Sequence, residues 1–293
     1  MHSAALSLGA TLRAKFAERR GLIVPGCGDA LAARVIEGEG FEAVYLSGAG
    51  LTNTLYGLPD LGFVHLGDVA RSTAAIRDVV ALPLIVDADT GFGNALNVRQ
   101  TIRTLERAGA NAVQIEDQIL PKKCGHFSGK EVVEAAEMIG KIKSAVDARA
   151  STDLLVIART DARGPLGLDE ALDRAERYAA AGADLTFVEA PVDAEELRRV
   201  AALPCPQVAN IVIGGKTPAL PASEFARMGF AMVLYANAAL QGAVRGMARA
   251  LAELRRSEVL SEDSGLVATF GERQGLVQKP FFDDLERRYS SVK

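Results

Sequence analysis

The decapeptide PKKCGHFSGK, residues 121–130, sets Lys122, Lys123, Cys124 and His126 within five residues, between Pro121 and Gly129. Cations and an imidazole beside a thiol lower its pKa and hold a thiolate–thiol equilibrium near neutrality, which suits a proton donor. The bland alternative for Cys124 is a small buried hydrophobe. Cys-x-His alone is a poor zinc signature, because Cys27 and Cys205 have no neighbouring histidine to complete a tetrad. Those two cysteines read as packing residues, and His2 and His65 as surface or local hydrogen-bonding groups.

Acidic residues supply a second signal. DAD at 87–89 and IED at 115–117 each follow a short apolar run, and Glu189 follows a third. On a strand, side chains alternate with period two, so Asp87 and Asp89 are expected on one side. Taken singly, such acids read as helix caps or solvated loop ends. Gathered at one mouth, Asp87, Asp89, Glu116 and Glu189 would repel one another unless a cation sat among them. Ligation by oxygen alone favours Mg²⁺, with Mn²⁺ as the other candidate, over zinc.

The elements that must position these groups follow a regular alternation. Eight short aliphatic runs occupy 21–26, 43–48, 82–89, 112–117, 154–161, 185–191, 206–211 and 231–237. Continuous apolar strands fit a parallel sheet buried on both faces. Helical patterns lie between them, such as 97–110 and 169–183, with Gly109 and Gly182 as C-terminal caps. Eight β-then-α units predict an α/β fold of the closed (β/α)8, or TIM, barrel type. The rival is a doubly wound open sheet, but no GxGxxG follows the first strand. In a barrel, the active site lies at the C-terminal strand ends. Those ends carry Tyr45, Ser47 and Gly48, then Asp87 and Asp89, then Glu116 and Asp117, then Arg159 and Asp161, then Glu189, Asn210, and finally Tyr235 with Asn237. The 121–130 segment follows the fourth strand and so belongs to the same mouth.

The chain has 293 residues, is 49% hydrophobic and carries a net charge of −4. That balance argues against a nucleic-acid binder. No run reaches the ~20 apolar residues needed to span a bilayer, and the N-terminus reads as an amphipathic helix without a long apolar core. Three widely spaced cysteines point to a reducing cytoplasm rather than a disulfide framework. Residues 1–240 are expected to form the barrel. Residues 241–293 are expected to form a helical extension packing on the barrel or on a neighbouring subunit.

KKCGH after QIEDQ, with DADTGFG upstream and IARTDA downstream, resembles the isocitrate lyase / phosphoenolpyruvate mutase superfamily over residues ~20–240. The loop resembles its carbon–carbon lyase branch, of the 2-methylisocitrate and 2,3-dimethylmalate lyase type, and GGKTP at 214–218 favours the latter. The resemblance implies Mg²⁺ held by Asp87, Asp89 and Glu116. It implies a keto-acid carboxylate gripped by Ser47, Gly48 and the next amide, that of Ala49, with Tyr45 beside the substrate oxygen. Asp60, Gly125, Arg159, Glu189 and Asn210 would complete the substrate set. Cys124 would be the proton donor on a gating loop hinged at Gly125 and Gly129, tuned by Lys122, Lys123 and His126. It also implies a homotetramer with exchanged C-terminal helices. Ala49 and Ile213 depart from common relatives and affect the pocket for the second half of the substrate, for which Leu51, Leu55, Ile213 and Pro218 suggest an apolar lining. The implied reaction is retro-aldol cleavage of a 2-hydroxy di- or tricarboxylate to a 2-keto acid and a carboxylate. The alternatives are hydrolysis of oxaloacetate, a phosphonate mutase, and a barrel that only binds a ligand.

Overall fold

The computed structural model describes residues 6–122 and 129–290. Eight parallel strands form a nearly closed barrel. They are β1 (Leu22–Cys27), β2 (Val44–Leu46), β3 (Leu84–Asp87), β4 (Ala112–Glu116), β5 (Leu155–Thr160), β6 (Leu185–Val188), β7 (Val208–Asn210) and β8 (Met232–Tyr235). The order is β6-β5-β4-β3-β2-β1-β8-β7. The seam between β6 and β7 is closed by a parallel bridge between Thr186 and Gln207, where Gln207 Nε2 donates to Thr186 Oγ1 at 2.6 Å. The eight apolar runs are thus the eight strands, each shorter than its run because the ends are given to loops.

Alternation along these strands sorts the side chains into two layers. Tyr45, Ile85, Ala112, Leu155, Ile157, Leu185, Phe187, Val208, Met232 and Leu234 share the barrel interior. Val44, Leu46, Leu84, Val86, Val113, Val156 and Ala158 face outward onto the helices. The bottom of the interior is plugged by the helix Leu8–Ala17, whose Leu12 and Phe16 join the inner cluster. Ser7 caps that helix by accepting from the Ala10 amide at 3.1 Å.

The patterned segment 97–110 forms the helix Ala95–Arg107, and 169–183 forms Leu168–Ala180. The first starts earlier than its apolar pattern because Asn94 caps it, accepting from the amides of Leu96 and Asn97. Both stop short of their glycines, which have φ of 100° at Gly109 and 109° at Gly182. A Cβ at Gly109 would also lie 2.4 Å from Arg77 Cγ.

After β8 the helix Ala238–Ser257 leaves the barrel, followed by the helices Phe270–Leu276 and Lys279–Tyr289. The Phe270–Leu276 helix was not anticipated, although Thr269 and Glu272 form a capping box that the sequence spells out. None of these three helices buries a residue within the single chain. No helix among the described residues is long and apolar enough to cross a membrane.

Candidate active site

The inward positions of the strands turn polar at their C-terminal ends. The same parity that puts Ile85, Ala112, Ile157, Phe187 and Val208 inside continues to Asp87, Gln114 and Glu116, Arg159, Glu189 and Asn210. Register then sets neighbours: Asp87 is paired with Gln114 and Glu116 with Arg159. The result is a small cleft at the mouth, lined by Tyr45, Ser47, Ala49, Asp60, Asp87, Glu116, Lys122, Arg159, Glu189 and Asn210 among others.

Arg159 is the central cation. Its Nε donates to Asp161 Oδ2 at 2.9 Å and its Nη2 to Asp161 Oδ1 at 3.1 Å. Nε also lies 3.3 Å from Glu116 Oε2, and Nη2 lies 3.1 Å from Glu189 Oε2. The Phe187 ring sits under the guanidinium, with Cζ 5.1 Å from its centroid. Among the described residues, these contacts use the Nε and Nη2 edge of a side chain that lines the cleft. Glu189 also accepts from Asn210 Nδ2 at 3.3 Å.

The acids predicted to hold a metal are at the mouth but are not equivalent. Asp87 ends β3, and its Oδ2 accepts from the Gly48 amide at 3.2 Å. Asp89 is not in the strand, which corrects the expectation of two strand positions on one side. Its φ of 48° turns the chain, and its amide donates to Asp87 Oδ1 at 3.1 Å. Its carboxylate pairs with Lys122 Nζ at 2.8 Å, and Lys122 also reaches Asp60 at 2.6 Å. Lys122 is therefore held in a buried ion triad with Asp60 and Asp89. A Cβ at Gly48 would stand 3.1 Å from Asp87 Oδ2 and 3.2 Å from Asp89 Oδ1. Glycine here keeps open a space that both carboxylates face.

The donor chemistry fits a hard divalent cation. Glu116 Oε1 is buried without a hydrogen bond. Burial pushes the Glu116 carboxyl well above the ordinary range, against the pull of Arg159. Burial also pushes Asp89 up to about 7 despite the adjacent Lys122. A cation would remove that mismatch. Among the described residues, no three His, Cys, Asp or Glu side chains are arranged as a ready-made metal cage.

Tyr45 projects into the interior, and its hydroxyl donates to Gln114 Oε1 at 2.9 Å. Burial, reinforced by Asp87, raises its pKa well above the usual value, so the phenol stays protonated. Ser47 caps the helix Gly48–Tyr56, accepting from Gly50 N at 3.1 Å and reaching Asn237 Oδ1 at 3.3 Å. Gln114 and Asn237 were given no role from the sequence. Strand parity with Glu116 could have found Gln114, but Asn237 lies beyond β8, where no parity applies. Of the residues expected to give an apolar lining, Leu51 is buried in the outer core, while Leu55 and Ile213 are exposed. The apolar lining of the cleft comes instead from Ala49, Val212, Leu234 and Ala236.

Lys123, Cys124, Gly125 and His126 lie outside the described residues. The chain on either side of them is well fixed. Gln118 bridges Val132, the Ile119 amide donates to Glu131 O at 3.0 Å, and the Val133 amide donates to Asp117 O at 2.8 Å. Asp117 itself points away from the cleft. It accepts from Thr160 Oγ1, Tyr178 Oη, Arg174 Nη1 and the Asp161 amide, so it is a structural acid rather than a ligand.

Comparison with known proteins agrees with this architecture. The pattern of the phosphoenolpyruvate phosphomutase family matches residues 12–255. The chain is 38% identical over 287 residues to the 2,3-dimethylmalate lyase of Eubacterium barkeri, covering 98% of this chain and 99% of that one. It is 44% identical over 247 residues to the 2-methylisocitrate lyase of Aeropyrum pernix, covering 84% and 79%. The crystal structure of 2,3-dimethylmalate lyase superposes with a TM-score of 0.90 at 32% identity, covering 97% and 96%. Oxaloacetate acetylhydrolase in complex with 3,3-difluorooxalacetate gives 0.89 at 33%, covering 97% and 98%. Phosphonopyruvate hydrolase in complex with oxalate and Mg²⁺ gives 0.87 at 30%, covering 97% and 99%.

Fold and site therefore define an α/β-barrel enzyme with a carboxylate-lined cleft at the C-terminal strand ends, and its relatives include carbon–carbon lyases. The chain belongs to the phosphoenolpyruvate phosphomutase family, within the isocitrate lyase / phosphoenolpyruvate mutase superfamily.

Proposed function

We propose that this protein is a Mg²⁺-dependent lyase that cleaves a 2-hydroxy di- or tricarboxylate of the 2,3-dimethylmalate or 2-methylisocitrate kind. The products are a 2-keto acid such as pyruvate and a carboxylate. The observation that carries the reading is the pairing, in one cleft, of the Arg159 guanidinium with Glu116, whose Oε1 is buried without a hydrogen bond among the described residues. One group suits a carboxylate and the other a divalent cation.

Asp87 and Glu116, with Asp89 behind them, would hold the ion. When bound, it supplies Lewis acidity at the substrate's C2 oxygen. Arg159 orients a carboxylate through charge-assisted hydrogen bonds. The amides at the start of the Gly48–Tyr56 helix offer a second anion position. Tyr45, being protonated, faces the oxygen as a neutral donor or acceptor rather than as the base. As a general base takes the hydroxyl proton, the O–H electron pair forms the C2 carbonyl, the C2–C3 bond breaks and its electron pair passes to C3, giving the enolate of the departing carboxylate. Cys124 returns a proton to that carbon. A loop that carries the acid keeps water from the enolate until the proton arrives. We place the enzyme in the cytoplasm, consistent with the free thiols of Cys27 and Cys205, and propose a homotetramer with exchanged C-terminal helices.

A second reading is hydrolysis of oxaloacetate to oxalate and acetate, favoured by the likeness to oxaloacetate acetylhydrolase. A panel of 2-hydroxy dicarboxylates, alkylated and not, assayed with Mg²⁺ for 2-keto acid, tests the proposal. Keto-acid formation is expected from at least one alkylated member. Oxalate release from oxaloacetate, with no cleavage of any hydroxy acid, would overturn it in favour of the second reading.

A further inference from the structure

Lys130 stands on the returning arm of the segment after β4, next to Glu131, whose carbonyl accepts from Ile119. Its ammonium is buried, with a side-chain exposure of 5%, and lies 2.5 Å from Asp161 Oδ1. Asp161 is fully buried and is the carboxylate that grips both Nε and Nη2 of Arg159. The Asp161 amide donates to Asp117 Oδ1 at 2.9 Å, which fixes the backbone but not the carboxylate plane. Around Arg159 stand three carboxylates, those of Glu116, Asp161 and Glu189. Lys130 adds a positive charge to this cluster at Asp161 Oδ1, the oxygen that also accepts from Arg159 Nη2.

We infer that Lys130 is a positioning residue for Arg159. By holding Asp161 Oδ1, it locks the plane of the carboxylate that holds the guanidinium, and so fixes the orientation of the guanidinium in the cleft. Without it, the Asp161 carboxylate can rotate about its terminal torsion, and Arg159 is free to follow it or to swing toward Glu116. The segment after β4 is then tied at one foot to Asp60 and Asp89 through Lys122, and at the other to Arg159 through Lys130 and Asp161. The functional meaning of this tie rests on the proposed carboxylate chemistry, but its geometry does not.

The test uses the full chain as wild type, Lys130→Met and Lys130→Arg, with oxalate plus Mg²⁺ as the binding probe in calorimetry, alongside crystal structures. Lys130→Met should weaken oxalate binding about tenfold and raise the KM of the accepted hydroxy acid by a similar factor, with kcat within about threefold, because ground-state and transition-state binding fall together. Lys130→Arg should recover most of the affinity, and the Arg159 side chain should be redirected in the Met variant. Oxalate affinity within about twofold of wild type with Arg159 unmoved, whatever the change in Tm, would overturn the inference and leave Lys130 a structural residue. If the Met variant does not fold, Lys130→Gln takes its place under the same criteria. If wild type itself binds no oxalate, the functional reading fails, and the orientation of Arg159 in the variant structures decides the inference alone.

Discussion

Three thiols share this chain, and burial sets Cys27 and Cys205 apart as weak acids. Burial pushes Cys27 up to about 12 and Cys205 up to about 11. A raised pKa leaves less thiolate at a given pH, so at pH 8 the reactive fraction of Cys205 is on the order of a thousandth, and that of Cys27 smaller still. Titration of the native protein with a thiol reagent at pH 8 should therefore show one fast equivalent, from Cys124, and three after denaturation. Two fast equivalents would remove the selectivity. Cys124→Ser should retain Mg²⁺-dependent binding of the keto acid and lose most turnover; near wild-type turnover would take Cys124 out of the chemistry. Glu116→Gln keeps the shape of the side chain but removes the charge that draws a cation. It should abolish Mg²⁺ dependence and activity together, read by activity against metal concentration and by calorimetric metal binding.

At the scale of elements, Glu116 and Asp117 make the clearest case. They are adjacent acids in one run, and strand parity sends them to opposite faces. Asp117 is surrounded by Thr160, Tyr178, Arg174 and the Asp161 amide. Asp117→Ala would leave Arg174 buried without that partner, at a cost of about 3–5 kcal/mol. Denaturant unfolding should show a loss of that size. A change below about 1 kcal/mol would mean that the network relaxes around the gap. The (β/α)8 architecture itself was legible in the sequence, because eight aliphatic runs and two Ala-Gly-Ala helix ends carry periodicity and cap chemistry directly. The departure of Asp89 from the strand was not legible. Its left-handed backbone depends on the turn that leads into the loop, and the Asp-x-Asp spacing looks the same in either conformation.

At the scale of the whole molecule, the helix Ala238–Ser257 carries Leu240, Val244, Met247, Leu251 and Leu254 at spacings of four and three, one continuous stripe. Val244, Met247 and Leu251 are more than half exposed in the single chain, as are Phe270, Phe281 and Phe282 nearby. An apolar stripe of that length in water favours association. Light scattering on the full chain should give a mass near four times 30.9 kDa, and a monomer at micromolar concentration would overturn the proposed assembly.

The sequence by itself determined the barrel, the polar mouth and the identity of most groups in it. Strand periodicity, cap residues and residue chemistry are local properties, and they survive translation into one dimension. Only the tertiary structure decided which acid meets which cation. Adjacency in sequence places Lys122 two residues from Cys124, and the fold adds the partners it is buried between, Asp60 and Asp89, which lie 62 and 33 residues away in the chain. Gln114, Asn237 and Lys130 acquired meaning the same way. Strand register and loop return bring charges together across long sequence separations, and in a buried site the partner at three ångströms outweighs the neighbour in sequence.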